Sequence, residues 1–177
     1  MSHPYTEGYF QKGEGSNYRG YEDGKQFEMR AEAIRDRFHP TSLLDVGCAR
    51  GFVVNHLRVM GVDAKGIDIS EWAVGSVPPD GLGKHLTAAD VTKGLPYSDG
   101  QFDLVTSMDF LEHIEEKDVD ALIAEMLRVG RRQFHVITTP EYTMYGDETH
   151  VCMKPLEWWK AKFPASPDVV IETVRPV

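Results

Sequence analysis

Ser42-Leu-Leu-Asp-Val-Gly-Cys-Ala-Arg-Gly-Phe-Val-Val54 decides how this chain is read. Leu43, Leu44 and Val46 form a short apolar run of strand type. It runs straight into Gly47-Cys-Ala-Arg-Gly51, and helix-compatible residues resume from Phe52 to Met60. A strand, a glycine turn and a helix in that order make the cradle that α/β nucleotide folds carry at the carboxyl end of their first strand. Gly47 lets the backbone turn sharply and approach a ligand, and Gly51 lets the helix pack tightly on the strand. Asp45 is placed to brace the loop through its amide groups. An ordinary tight turn has the same composition, so the downstream sequence has to decide. Residues 64–69 read as a second short strand ending in Asp68, about twenty residues past the loop, where such folds put an acid on ribose hydroxyls. A third strand near residues 86–91 ends in Asp90, and a fourth over 102–109 ends in Asp109. Four strand ends with polar residues then line one edge of a single sheet.

In this order LDVGCARG, GIDIS, AADV and FDLVTSMDFLEHI resemble the first four motifs of the class I S-adenosylmethionine-dependent methyltransferases, and the resemblance covers about residues 43–139. It implies an α/β, Rossmann-like, doubly wound and mostly parallel sheet of about six to seven strands with helices on both faces. The family's usual sheet has seven strands, the last antiparallel; six are legible here. The resemblance also implies S-adenosyl-L-methionine as cofactor and S-adenosyl-L-homocysteine as product. Carried onto this chain, the cofactor-binding residues are Asp45, Gly47, Cys48, Ala49, Gly51, Phe52, Asp68, Ile69, Asp90, Val91 and Met108. Asp68 would take the ribose hydroxyls, Asp90 the adenine amine beside apolar Val91, and the two glycines would admit the methionine end. One departure is visible: the family's middle glycine is Ala49, small enough to be tolerated unless the backbone there needs a positive φ.

Composition sets bounds. A chain of 177 residues with 41% hydrophobic and 27% charged residues is read as one soluble domain with a proper core. The formal net charge of −9 argues against a broad phosphate-binding face, so nucleic acid is not expected as a partner. Two cysteines, Cys48 and Cys152, suggest neither a disulfide scaffold nor a zinc cluster. No apolar run approaches membrane-spanning length and no signal-peptide layout opens the chain, which makes a cytoplasmic protein the default expectation. The expected partner is a small-molecule methyl acceptor, and a homodimer is left open.

Residues 1–40 read as an aromatic and glycine-rich lid segment plus a helix, and residues 41–177 as the methyltransferase domain, the whole forming one compact unit. Tyr5, Tyr9, Phe10, Tyr18 and Tyr21 sit among Gly8, Gly13, Gly15 and Gly20. That segment is either a loop stapled down by its rings or a lid hinged on its glycines. Related enzymes carry an Asn-Tyr pair like Asn17-Tyr18 in an entry segment that closes over the cofactor, which adds Tyr18 to the cofactor-binding set. Phe27, Ala31, Ile34 and Phe38 recur at helical spacing. Further helices are expected over residues 71–77, over 118–129 with Gly130 as terminator, and over 156–163 with Pro155 in the first turn. Further strands are expected over residues 134–139 and 169–174.

Two histidines are the candidate catalytic bases. His150 lies in a Thr-His-Val stretch like one that follows the fifth strand and faces the substrate in related small-molecule enzymes. An imidazole there can take a proton from a hydroxyl as the methyl group arrives. His113 closes Asp109-Phe-Leu-Glu-His113, in which a helical turn would set Asp109, Glu112 and His113 on one face. Metal is not the expectation, but those three are the alternative ligand set, since similar acid-x-x-Glu-His arrangements occur in metal-assisted methyltransferases. Tyr142 and Tyr145 are candidate walls of the acceptor pocket. No Asn-Pro-Pro-Tyr or Asp-Pro-Pro-Tyr run follows the fourth strand, which counts against amino methylation of adenine or glutamine. Methyl transfer to a hydroxyl gives a base something to do, so O-methylation of a small molecule leads; the alternatives are a methyltransferase acting on a macromolecule, an RNA end or protein, and a catalytically degenerate cofactor-binding subunit.

Overall fold

The computed structural model describes residues 3–16, 18, 20–77, 81–142 and 147–173, apart from the side chain of Tyr142. Asn17, Tyr145 and Val174 lie outside the described residues. Six strands, β1 (Ser42–Val46), β2 (Asp63–Asp68), β3 (Leu86–Ala88), β4 (Phe102–Met108), β5 (Gly130–Ile137) and β6 (Val169–Thr173), form one sheet in the order β3-β2-β1-β4-β5-β6. Every neighbouring pair is parallel. The chain walks outward from β1 to β3 and then crosses back to lay β4 on the other side of β1. Strand order reverses between β1 and β4, and an open parallel sheet leaves its ligand crevice at the carboxyl ends of such a pair.

Both faces of the sheet are covered, as parallel pairing requires. Leu43 and Leu44, neighbours on β1, point to opposite sides and enter different cores. Leu43 joins Phe27, Ala31 and Ile34 of α1 (Lys25–Phe38) and Val54 and Leu57 of α2 (Phe52–Val59). Leu44 joins Leu122 and Met126 of α4 (Glu116–Val129) and Trp159 of α5 (Leu156–Lys162). Each fully buried leucine contributes about 1.5–3 kcal/mol of hydrophobic stabilisation. The remaining helix, α3 (Glu71–Gly75), is capped by the Ser70 hydroxyl, which accepts from the Ala73 N–H. No helix among the described residues is long and apolar enough to cross a membrane.

Two junctions differ from expectation. Gly130 does not end α4 in the left-handed cap geometry; it has φ −123° and ψ 137° and is the first residue of β5. A Cβ there would lie 2.3 Å from Val105 Cγ2, so close packing accounts for the glycine. Arg131, Arg132 and Gln133 open β5 with polar side chains, which hides the strand's start from a hydrophobicity reading. β3 stops at Ala88, and Asp90 caps a separate 3-10 turn, Val91–Lys93.

The entry segment is folded onto the domain and contains one turn of π-helix, Gly8–Lys12. Phe10 stacks on Trp72 with ring centroids 5.6 Å apart, and Tyr21 stacks on Phe52 at 5.7 Å. Polar latches add to the rings. The Ser70 hydroxyl donates to the Tyr5 carbonyl at 2.6 Å, and the Glu148 N–H to the Gly15 carbonyl at 2.9 Å.

Candidate active site

A cavity of about 590 Å³ opens along the carboxyl ends of β1, β2 and β4 and is roofed by Tyr5, Tyr9, Phe10 and Tyr18. That volume suits a small molecule and part of a second one. Gly47, Ala49, Asp68, Ile69, Asp90, Val91 and Met108 all line it, so the cofactor set read from the strand tips is largely brought together. Asp45, Cys48 and Phe52 line an adjoining recess with Gly47 and Arg30. Gly51 lines neither space. A Cβ on it would sit 2.7 Å from Leu86 Cδ2 and its φ is +70°, so packing against β3 and the left-handed backbone both call for glycine.

The loop after β1 is braced by Asp68 and not, as expected, by Asp45. Gly47 and Cys48 both turn their N–H groups to the Ile67 carbonyl, at 2.8 and 3.2 Å. Ala49 is left to donate to Asp68 Oδ2 at 2.7 Å, while Ser70 N–H donates to Oδ1 at 2.8 Å. Asp45 accepts instead from the Thr106 hydroxyl at 3.0 Å on the neighbouring strand. Ala49 has φ +49°, the condition under which its side chain is a cost of about 1–2 kcal/mol. The charge-assisted bond to Asp68 offsets it. Each Asp68 oxygen keeps a further lone pair beyond the amide it accepts. Burial pushes the Asp45 carboxyl up to about 7 and raises Asp68 as well. Asp90 behaves oppositely: the Thr92 hydroxyl at 2.6 Å and Lys93 Nζ at 2.9 Å hold its carboxyl below the usual range.

The end of β4 supplies the other half of the cavity wall. Asp109 has φ +50° and turns to Arg30, whose guanidinium donates at 3.2 Å; the Thr138 hydroxyl donates to its other oxygen at 3.3 Å. Asp109 lies before the 3-10 turn of residues 111–113 with its backbone in the left-handed region, and its carboxylate is not among the ligand-type atoms that cluster with Glu112 and His113. Glu112 is fully buried, accepts the Thr138 N–H on Oε1 at 2.9 Å, and leaves Oε2 without a partner among the described residues. Burial, and then Asp109, push its carboxyl up to about 7. What converges is Glu112, His113 and His150, with one ligand-type atom of each within 4.8 Å of the others.

Of the two candidate bases, His113 lines the cavity, whereas His150 packs edge-on against it with ring centroids 4.7 Å apart. Burial, and then His150, bring the His113 imidazole down to about 4, so it is neutral at pH 7. Its Nδ1 lies 2.8 Å from Thr149 Oγ and 3.2 Å from the Thr149 carbonyl. Asp147 accepts both the N–H and the hydroxyl of Thr149, at 2.9 and 2.5 Å, and also the Tyr9 hydroxyl at 2.8 Å. Asp147 and Thr149 were missed in the sequence. Their signal was the Asp-x-Thr spacing, which forms a local turn of this kind.

A family model described as a methyltransferase domain matches residues 44–137, just over half of the chain. This chain belongs to that methyltransferase-domain family. The cofactor of the class is S-adenosylmethionine. Norajmaline N-methyltransferase of Rauvolfia serpentina is 36% identical over 98 residues, covering 51% of this chain and 32% of that protein. The ubiquinone biosynthesis O-methyltransferase of Methylococcus capsulatus is 35% identical over 95 residues, covering 50% of this chain and 38% of that protein. This methyltransferase domain thus spans about a third of the length of those curated relatives. Among solved structures, a SAM-dependent methyltransferase from Archaeoglobus fulgidus superposes with a TM-score of 0.62 at 22% identity, covering 88% of this chain and 69% of that one. The plantazolicin methyltransferase in complex with SAH gives 0.57 at 15%, covering 77% and 60%. Both likenesses are of fold.

Proposed function

We propose that this methyltransferase domain holds S-adenosylmethionine in the cavity and directs methyl transfer to a hydroxyl of a small-molecule acceptor. The observation that carries the reading is one cavity with Gly47 and Asp68 on one wall and a neutral imidazole, His113, on another. The residues fit the cofactor. Asp68 keeps lone pairs for a ribose diol, Ile69 and Val91 give apolar walls next to Asp90, and the recess sets the Asp45 carboxyl and the Arg30 guanidinium beside an amino-acid end. When bound, the cofactor supplies a methyl group already activated on a sulfonium.

The chain's own work is to orient, to exclude water and to hold a proton. The entry segment covers part of the cavity with aromatic rings, which limits the access of water to the reacting atoms. His113 takes the acceptor's proton on Nε2, because its Nδ1 is already engaged with Thr149. His150 backs the His113 ring. Relatives that act on oxygen and on nitrogen are both small-molecule enzymes by name, in keeping with a small acceptor. Turnover of a panel of phenols, alcohols and amines tests the reading. His113→Ala is expected to lower the rate on a hydroxyl acceptor about 10²-fold without weakening cofactor binding. A panel on which amines alone react, indifferent to His113, contradicts it.

One observation favours a second reading. The bare Glu112 Oε2 converges with His113 and His150, an oxygen-and-two-imidazole set suited to a divalent cation. Turnover that is equal in chelator and in added magnesium dismisses it.

A further inference from the structure

The proton on a neutral imidazole sits where its neighbours accept it, and the neighbours of His113 Nδ1 leave one solution. The Thr149 carbonyl, 3.2 Å away, only accepts. Thr149 Oγ, 2.8 Å away, has its own hydrogen committed to Asp147 Oδ1 and so also accepts from the ring. Both partners demand an N–H at Nδ1, which leaves Nε2 as the bare lone pair. Asp147 is itself held on its second oxygen, by the Tyr9 hydroxyl at 2.8 Å. Tyr9 belongs to the entry segment, more than a hundred residues away in the chain, and is buried as part of the cavity roof. His150 Nε2 is the other group near that oxygen, at 3.9 Å.

We infer that Asp147 and Thr149 are positioning residues that fix the proton of His113 on Nδ1, and that Tyr9 completes the relay from the entry segment. The inference rests on the reading of His113 as the proton acceptor. Closing the entry segment and preparing the base are then one event: Tyr9 pins the Asp147 carboxylate, the carboxylate fixes the Thr149 hydroxyl, and the hydroxyl fixes the ring. With the segment open, Oδ2 loses its donor and the carboxylate keeps only its Oδ1 contacts to the Thr149 N–H and hydroxyl, so it holds that hydroxyl less firmly. A hydroxyl acceptor would then meet an imidazole whose Nε2 is protonated for part of the time. Proton transfer is withheld until the roof is in place, so the base is ready only when water is excluded.

The test is ¹⁵N NMR of the histidine rings in the full chain, with turnover measured beside it. Wild type is expected to show His113 as the Nδ1–H tautomer. Asp147→Asn should shift it toward a mixture with Nε2–H and Tyr9→Phe should do so less, whereas Thr149→Ser, which keeps the hydroxyl, and Thr149→Val, which leaves only the accepting carbonyl, should both retain Nδ1–H. Rates on the hydroxyl acceptor should fall about tenfold for Asp147→Asn, with cofactor affinity unchanged, and stay near wild type for Thr149→Ser. A wild-type ring protonated on Nε2 overturns the inference, as does a tautomer indifferent to Asp147→Asn. A tautomer that follows the variants while His113→Ala leaves turnover intact keeps the relay and removes the base reading instead.

Discussion

Asp68 and Ala49 answer one another. A left-handed alanine is costly, yet the turn it makes delivers its N–H to a buried carboxylate, which would otherwise be short of donors. The spacing between the glycine loop and an acid was legible in the sequence; which acid braces the loop was not. That choice depends on where Gly47 and Cys48 spend their amides, a matter of three-dimensional pairing with β2. Asp45 is left with Thr106 and a raised pKa, and this has a stability cost. Its folded value, about 7, lies above the ordinary 3.8, so the folded chain keeps a proton that the unfolded chain sheds. The protonated carboxyl is therefore least costly below about pH 4, and stability is lost as pH rises from there toward 7. Asp45→Asn is expected to match wild type near pH 4 and to exceed it at pH 8, by on the order of 2–4 kcal/mol. Urea unfolding at the two pH values checks it. A cost of that kind is in keeping with a recess shaped for a charged ligand rather than for stability.

Among the elements, α1, α2, α4 and the strands β1, β2 and β4 were readable because their apolar residues keep a helical or strand period. The junction of α4 with β5 was not, because two arginines and a glutamine open a strand that is buried between neighbours only further along. Gly130 reads locally as a helix stop, yet its missing side chain is demanded from across the sheet by Val105. Gly130→Ala is therefore expected to destabilise the domain by about 1–3 kcal/mol, with an unchanged denaturant slope. A helix-stop role alone would make the same change nearly neutral, since the backbone there is extended and alanine adopts it freely. The entry segment's aromatic content announced that it packs on something. The Tyr9 bond to Asp147 joins residues far apart in the chain, and a single sequence offers no sign of such a pair.

At the scale of the molecule, the reversal of strand order between β1 and β4 puts every polar strand tip on one rim, and the cavity follows from the topology. His150 shows the limit of reading a motif without its surroundings. Its stretch was recognised, but the fold sets His113 on the cavity wall and His150 against that ring. The part of the cavity left for the proposed acceptor is lined by residues such as Asp109 and Phe110 and by the entry segment, whose sequence carries no period or motif specific to a substrate. The cofactor half is where the account stands or falls. Isothermal titration of the full chain with S-adenosylhomocysteine tests it most directly: wild type is expected to bind, and Asp68→Ala, checked for retained fold by circular dichroism, to bind at least about tenfold more weakly. Absence of binding to the wild type, or a folded Asp68→Ala variant that binds as well as wild type, would contradict it.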